Sequence, residues 1–178
     1  MEQAILSRVA SSAERVQLDP QRASHNIDRL FRAAWALCGS REDAEDLVQE
    51  TYARVLAKPR FLRNEDDLGY LLRTLRNTFL NQKRTESRRP KTAPLPDEID
   101  LFADPHASDP VAAVEAGEVY AAVAALPADY RDVLVAVDVT GLSYKEAARA
   151  LRIPEGTVMS RLYRARQQVV RRVDGSSE

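Results

Sequence analysis

Five of the nine prolines fall within residues 90–110, a stretch that holds no glycine. Proline fixes φ, removes a backbone donor and biases the residue before it away from the helical region. No continuous helix can cross such a span, so the chain has to build its structure on either side of it. The span itself reads as an extended linker rather than a floppy one. The 178 residues are enough for one ordinary domain or two small ones.

On both sides of the linker, apolar residues recur at helical spacing, and strand-like alternation of useful length is absent. Ile27, Leu30, Phe31, Ala34, Leu37 and Cys38 make the first stripe, closed by Gly39 as a helix C-cap. Ser40 is an N-cap, with Asp43 three residues on. It opens a helix through Leu47, Val48, Thr51 and Val55 to Lys58, stopped by Pro59. A loop follows, then a third helix on Leu68, Leu71, Leu72, Leu75 and Phe79. Helical pattern resumes near Val111 and stops before Pro127; the next helix turns Leu134 and Val137 inward and ends at Gly141. The expected fold is all-α: two small helical domains joined by an extended acidic linker. The expected boundaries are an N-terminal arm at 1–24, read as a short helix or partly ordered segment, a domain at 25–91, the linker at 92–112 and a domain at 113–174.

Hydrophobic residues make up 44% and charged residues 30% of the chain, a globular balance. The net charge of -1 hides a partition. Residues 69–91 carry seven Arg or Lys and one Glu, 92–118 carry seven acids and no Arg or Lys, and 157–172 carry five Arg and no acid. Cys38 is the only cysteine, so an internal disulfide is impossible; it reads as a small buried hydrophobe in a reducing cytosol. His25 and His106 lack metal-ligand spacing to it. No apolar run is long enough to span a membrane, and the N-terminus lacks a signal-peptide core, which predicts a cytoplasmic protein.

Near the C-terminus, Ser143 and Glu146 form a capping-box pattern. Ala147, Ala148 and Leu151 offer a small face on which helices can cross closely. Ile153–Gly156 reads as a tight turn, and Thr157 starts a helix with Val158, Leu162, Ala165 and Val169 inward. This is a helix-turn-helix pattern, in which the second helix lies in the major groove. Its outer face shows Met159, Ser160, Tyr163, Arg164 and Arg166; Arg161 and Arg164 suit guanine or phosphate.

The middle helix carries Arg73, Arg76, Asn77, Asn81, Lys83 and Arg84 on its polar face, behind a loop with Arg60, Phe61, Leu62, Arg63 and Asn64. An aromatic among bases and amides suits single-stranded nucleic acid, although Phe61 can equally pack beneath its own loop. The helix opening at Arg41 is acidic, a pattern open to three readings: a solvated face, a carboxylate site, or a docking surface for a basic partner. Neither His, Lys nor a Gly-rich phosphate loop lies nearby, which weighs against catalysis. Asp46, Gln49 and Glu50 share one side of it, while Glu42 and Asp43 favour the helix dipole.

The ordered set AEDLVQETYARVL, LGYLLRTLRNTFLNQKR, LPADYRDVLVAVDVTGLSYKEAARAL and IPEGTVMSRLYRARQQV resembles the extracytoplasmic-function (ECF, group IV) sigma factors of the sigma-70 family. The resemblance implies sigma region 2 followed by sigma region 4, and a non-enzymatic role in transcription initiation with no catalytic, cofactor or metal residues. The implied partners are promoter DNA and core RNA polymerase, through its beta-prime clamp helices and beta flap. An anti-sigma factor is common in the family, but no motif here identifies one. By the same resemblance, Asp46, Gln49 and Glu50 grip the polymerase. Arg60, Phe61, Leu62, Arg63, Asn64, Arg73, Arg76, Asn77, Asn81, Lys83 and Arg84 serve the -10 element. Arg149, Thr157, Met159, Ser160, Arg161, Tyr163 and Arg164 serve the -35 element. Three positions depart from the family pattern. Met159 stands where Lys or Arg is usual, Arg149 where an acid is frequent, and the FLRNEDD loop replaces the more usual Phe-Arg-Gly type. Two other functions compete: an autonomous helix-turn-helix regulator, which needs a dimer surface, and a DNA-processing enzyme, for which a Ser, Tyr or metal site is missing.

Overall fold

The computed structural model describes residues 15–18, 20–58, 61–63, 67–88 and 110–174. Helix α1 is Pro20–Ser24, α2 Ile27–Cys38, α3 Arg41–Leu56 and α4 Asp67–Arg88. Beyond the linker come α5 at Pro110–Ala124, α6 at Ala128–Leu134, α7 at Tyr144–Leu151 and α8 at Glu155–Asp174. Strand β1 (Arg15–Gln17) pairs antiparallel with β2 (Phe61–Arg63), setting Val16 opposite Leu62. Part of the expected loop and part of the expected arm thus form one small ribbon. Three residues per strand are too few for alternation to register in a sequence. Arg60, Asn64 and residues 1–14 lie outside the described residues, as does the linker over 92–109.

Local signals account for most helix ends. The Ser40 hydroxyl accepts the Asp43 N–H at 3.2 Å, and α3 ends at Leu56, two residues before the expected Lys58. Helix α5 begins at Pro110, so residues 110–112 belong to a helix rather than to the linker. Proline fits a first helical turn, where its missing N–H would find no partner anyway. After Leu134 the backbone widens into a π-helical turn, Val135–Val139, in which Thr140 N–H reaches the Val135 carbonyl at 3.0 Å. Val133, Leu134, Val135 and Ala136 are buried, and Val137 is half-buried against the same core.

Helix α2 stands at the centre. It packs against α3 and α4 on one side and against α5 and the π turn on the other. Leu30, Ala33, Ala34 and Ala36 are fully buried, and the alanines let neighbouring backbones come close. The buried apolar side chains form one cluster that runs from Leu18 to Ala165, so the two halves share a core. Arg22 pairs with Asp67 at 2.9 Å, and the Tyr52 hydroxyl donates to the Ala23 carbonyl at 2.8 Å, tying α1 to the first half.

Contacts between the halves are specific. Trp35 stacks on Tyr120 with ring centroids 4.8 Å apart. The Arg131 guanidinium lies over Phe79 at 5.1 Å. Gly39 ends α2 at φ 82°, and a Cβ there would meet the Ala124 Cβ at 3.1 Å, so glycine serves both the left-handed cap and the approach of α5. Gly39→Ala is therefore expected to destabilise the protein by about 1–2 kcal/mol through left-handed strain alone. Trp35 is the only tryptophan, so its fluorescence in a urea titration reports that loss; an unchanged midpoint would contradict the dual role.

Candidate nucleic-acid and protein-binding surfaces

The helix-turn-helix is built as its sequence requires. The Ser143 hydroxyl accepts the Glu146 N–H at 3.3 Å, and the Ser143 N–H donates to the Glu146 carboxylate at 2.8 Å, completing the capping box. Bonds from the Ser143 hydroxyl and N–H hold the Glu146 carboxyl below its ordinary pKa. Helix α7 ends at Arg152 in the left-handed conformation, φ 58°. Helix α8 then starts at Glu155, two residues before the expected Thr157. Val158, Leu162 and Ala165 are buried, as are Ala147 and Ala150 on α7, and the two helices pack together.

The outer face of α8 is open, and its residues fall into two groups. Met159 is 49% exposed and Tyr163 65%; Ser160 and Arg164 are also exposed, and Arg164 has no ion-pair partner among the described residues. Arg161 instead turns toward α6 and pairs with Asp129 at 2.7 Å. Arg166 makes a two-pronged bond to Asp138 on the π turn, at 2.9 and 2.7 Å, which pushes its pKa upward. Thr157 is half-buried and its carbonyl accepts the Ser160 hydroxyl at 3.2 Å. Arg149 and Arg152 are exposed at the end of α7.

The polar face of α4 divides. Arg73 donates to the carbonyls of Ala150 and Arg149 at 3.0 and 2.9 Å, and Arg76 pairs with Asp132. Both arginines therefore point into the C-terminal half rather than outward. Burial drives the Asp132 carboxyl above the usual aspartate range, and the Arg76 charge only partly offsets it. Asn77, Asn81 and Arg84 are exposed. Lys83 is exposed but pairs with Glu86 at 2.9 Å and lies 5.8 Å above the Phe79 ring. Leu62 on β2 is half-buried against the core; the side chains of Phe61 and Arg63 lie outside the described residues.

Asp46 and Glu50 meet residues of α4 around a cavity of about 400 Å³, lined also by Cys38, Asn81, Gln82 and Lys83. Asn81 and Lys83, expected on the DNA side, thus share this groove with the acids of α3. Glu50 receives Arg54 and the Gln82 amide, the latter at 2.6 Å. Gln82 joins the groove through Glu50 on another helix, a pairing that leaves no local spacing signal. Gln49 is exposed on α3 outside the cavity lining. Burial pushes the Cys38 thiol up to about 12, in keeping with an unreactive apolar role. Among the described residues, no group of His, Cys, Asp and Glu is placed to hold a metal ion. None of the described helices is long and apolar enough to cross a membrane.

A four-helix region with an acidic groove, followed by a helix-turn-helix region, is the layout of a sigma-70 type protein. The family models agree: Sigma-70 region 2 matches residues 23–89, and Sigma-70, region 4 matches residues 116–169. The ECF RNA polymerase sigma factor SigE of Mycolicibacterium smegmatis is 37% identical over 81% of this chain, which spans 57% of that longer protein. The ECF sigma factor EcfG of Rhodopseudomonas palustris is 34% identical over 85% of this chain and 84% of its own length. The fold matches the sigma factor RpoE of Bartonella quintana, solved with its anti-sigma factor NepR, with a TM-score of 0.65 at 23% identity over 86% of this chain and 95% of that one. CnrH, solved with the cytosolic domain of CnrY, has a TM-score of 0.60 at 21% identity over 87% of this chain and 86% of its own. The chain belongs to the ECF RNA polymerase sigma factors, and this membership does not favour an autonomous regulator.

The capping box gives a pH-dependent prediction. A carboxyl with a lowered folded pKa contributes stability above its unfolded pKa, near about 4.3, and loses it as pH falls through the folded value. Glu146→Ala is expected to cost about 0.5–1 kcal/mol at neutral pH. The gap in melting temperature between this variant and the parent should narrow as pH falls below about 4. A gap that stays constant on acidification would show that the carboxylate is not what caps α7.

Proposed function

We propose that this chain is the promoter-specificity subunit of an RNA polymerase. It docks on the core enzyme through Asp46, Gln49 and Glu50 on α3, reads the -35 element with the outer face of α8, and engages the -10 element with α4 and the β1–β2 ribbon. The observation that carries the reading is α8 itself. Its buried stripe is packed on α7, while Met159, Ser160, Tyr163 and Arg164 remain exposed. That is the presentation a major-groove helix requires.

The acidic groove supports the polymerase assignment by its sign. Carboxylates at Asp46 and Glu50 repel phosphate and suit a basic protein partner. The DNA roles of Arg73 and Arg76 carry a condition. Both are engaged by the C-terminal half, so they reach DNA only after that half moves off α4. Asn77 and Arg84 are exposed without such a move. An anti-sigma partner belongs to the same proposal, by analogy with the Bartonella protein held by NepR. Copurification from the native host tests it.

Run-off transcription with purified core polymerase and a genomic promoter library tests the whole reading; no promoter-dependent product would sink it. Asp46→Lys with Glu50→Lys should cut core binding at least tenfold in a fluorescence-anisotropy titration while leaving the fold intact by circular dichroism. Arg164→Ala should weaken -35-dependent initiation by about 1–3 kcal/mol, the range for a bidentate base contact.

A further inference from the structure

Helix α8 carries five arginines between residues 157 and 172, yet the structure withdraws two of those nearest the turn. Arg161 is held by Asp129, and Arg166 by both oxygens of Asp138. The side chains left open at the N-terminal end of the outer face are Met159, Ser160, Tyr163 and Arg164. Met159 and Tyr163 stand one turn apart, so their side chains lie side by side. Tyr163 is 65% exposed, the most of any large apolar residue in the described structure, and Met159 is 49% exposed. Two of these four open side chains, Met159 and the ring of Tyr163, are therefore apolar.

A base edge in the major groove presents donors, acceptors and a single kind of apolar group, the thymine 5-methyl. Arg149 and Arg152 are exposed at the end of α7 and Arg164 on α8, against one exposed acid, Glu155, and this basic excess in the helix-turn-helix favours a phosphate-bearing occupant over an apolar protein face. We infer that Met159 and Tyr163 form a thymine-methyl reader, so that the -35 element of this sigma factor contains thymine where Met159 and Tyr163 meet the groove. Arg164 beside them donates to a neighbouring base edge, and Ser160, whose hydroxyl proton goes to the Thr157 carbonyl, accepts from one. The inference rests on the proposed -35 role of α8 and adds which base that helix selects and by what chemistry.

Run-off transcription with core polymerase on the promoters recovered from a library provides the test. Each -35 thymine is replaced in turn by deoxyuridine, which keeps every hydrogen-bonding group and removes only the methyl. At one or two positions the parent protein should lose about fourfold in initiation per methyl, the size expected for burying one such group. Met159→Ala, at an exposed position that leaves the core intact, should initiate more weakly on thymine templates and be insensitive to deoxyuridine at the position it reads. Equal transcription from thymine and uracil templates, or the same deoxyuridine penalty in Met159→Ala, would overturn the methyl reader while leaving the sigma assignment standing. Recovered promoters with no thymine in the -35 element would do the same. No product from any template would overturn both.

Discussion

Everything else in the structure depends on helix α2 being apolar on more than one side. An ordinary surface helix buries one stripe, but Leu30, Ala33, Ala34, Ala36 and Leu37 leave little of α2 in water. One flank receives α3 and α4, and the other receives α5 and the π turn. Alanine at three of these positions brings neighbouring backbones close, and Gly39 extends that closeness to the end of the helix. The two halves are thereby held in one body although the chain between them is long and rich in proline.

Polar contacts then set which way the halves face. Trp35 on Tyr120 and Arg131 over Phe79 fix the contact with ring geometry, while Arg73 and Arg76 clamp α4 to the C-terminal half. Asp132 is buried at 7% exposure, and a carboxylate in that position is costly unless paired. Its pairing with Arg76 makes the arrangement directional, because no other basic group is bonded to that carboxylate among the described residues. The same contacts that hold the fold together cover part of the surface proposed for DNA.

Much of the fold was legible because helices are governed by local rules. Ser40 and Gly39 announced the boundary between α2 and α3, and the Ser143–Glu146 box announced α7. The inward stripe Val158, Leu162 and Ala165 followed from spacing alone and is buried. The misses occurred where the local rule was overridden. The β1–β2 ribbon was too short to carry a pattern, and the π turn left Val137 half-buried at the edge of the core it was expected to enter. Pro110 looked like linker yet begins α5. The candidate site was less legible than the fold: Asp46 and Glu50 line one groove, Gln49, expected on the same side, lies outside it, Asn81 and Lys83 join it, and Arg161 is not free.

By itself, then, the sequence determined the helices, their caps and their buried faces, because those depend on residues three or four apart. Which charged groups remain available was decided only by tertiary structure. Arg166 meets Asp138 across 28 positions, Glu50 meets Gln82 across 32, Arg76 meets Asp132 across 56 and Arg73 reaches the Arg149 carbonyl across 76. No periodicity spans such distances. An arginine on an outer face is a nucleic-acid ligand or an internal tether according to which carboxylate or carbonyl the fold brings to it.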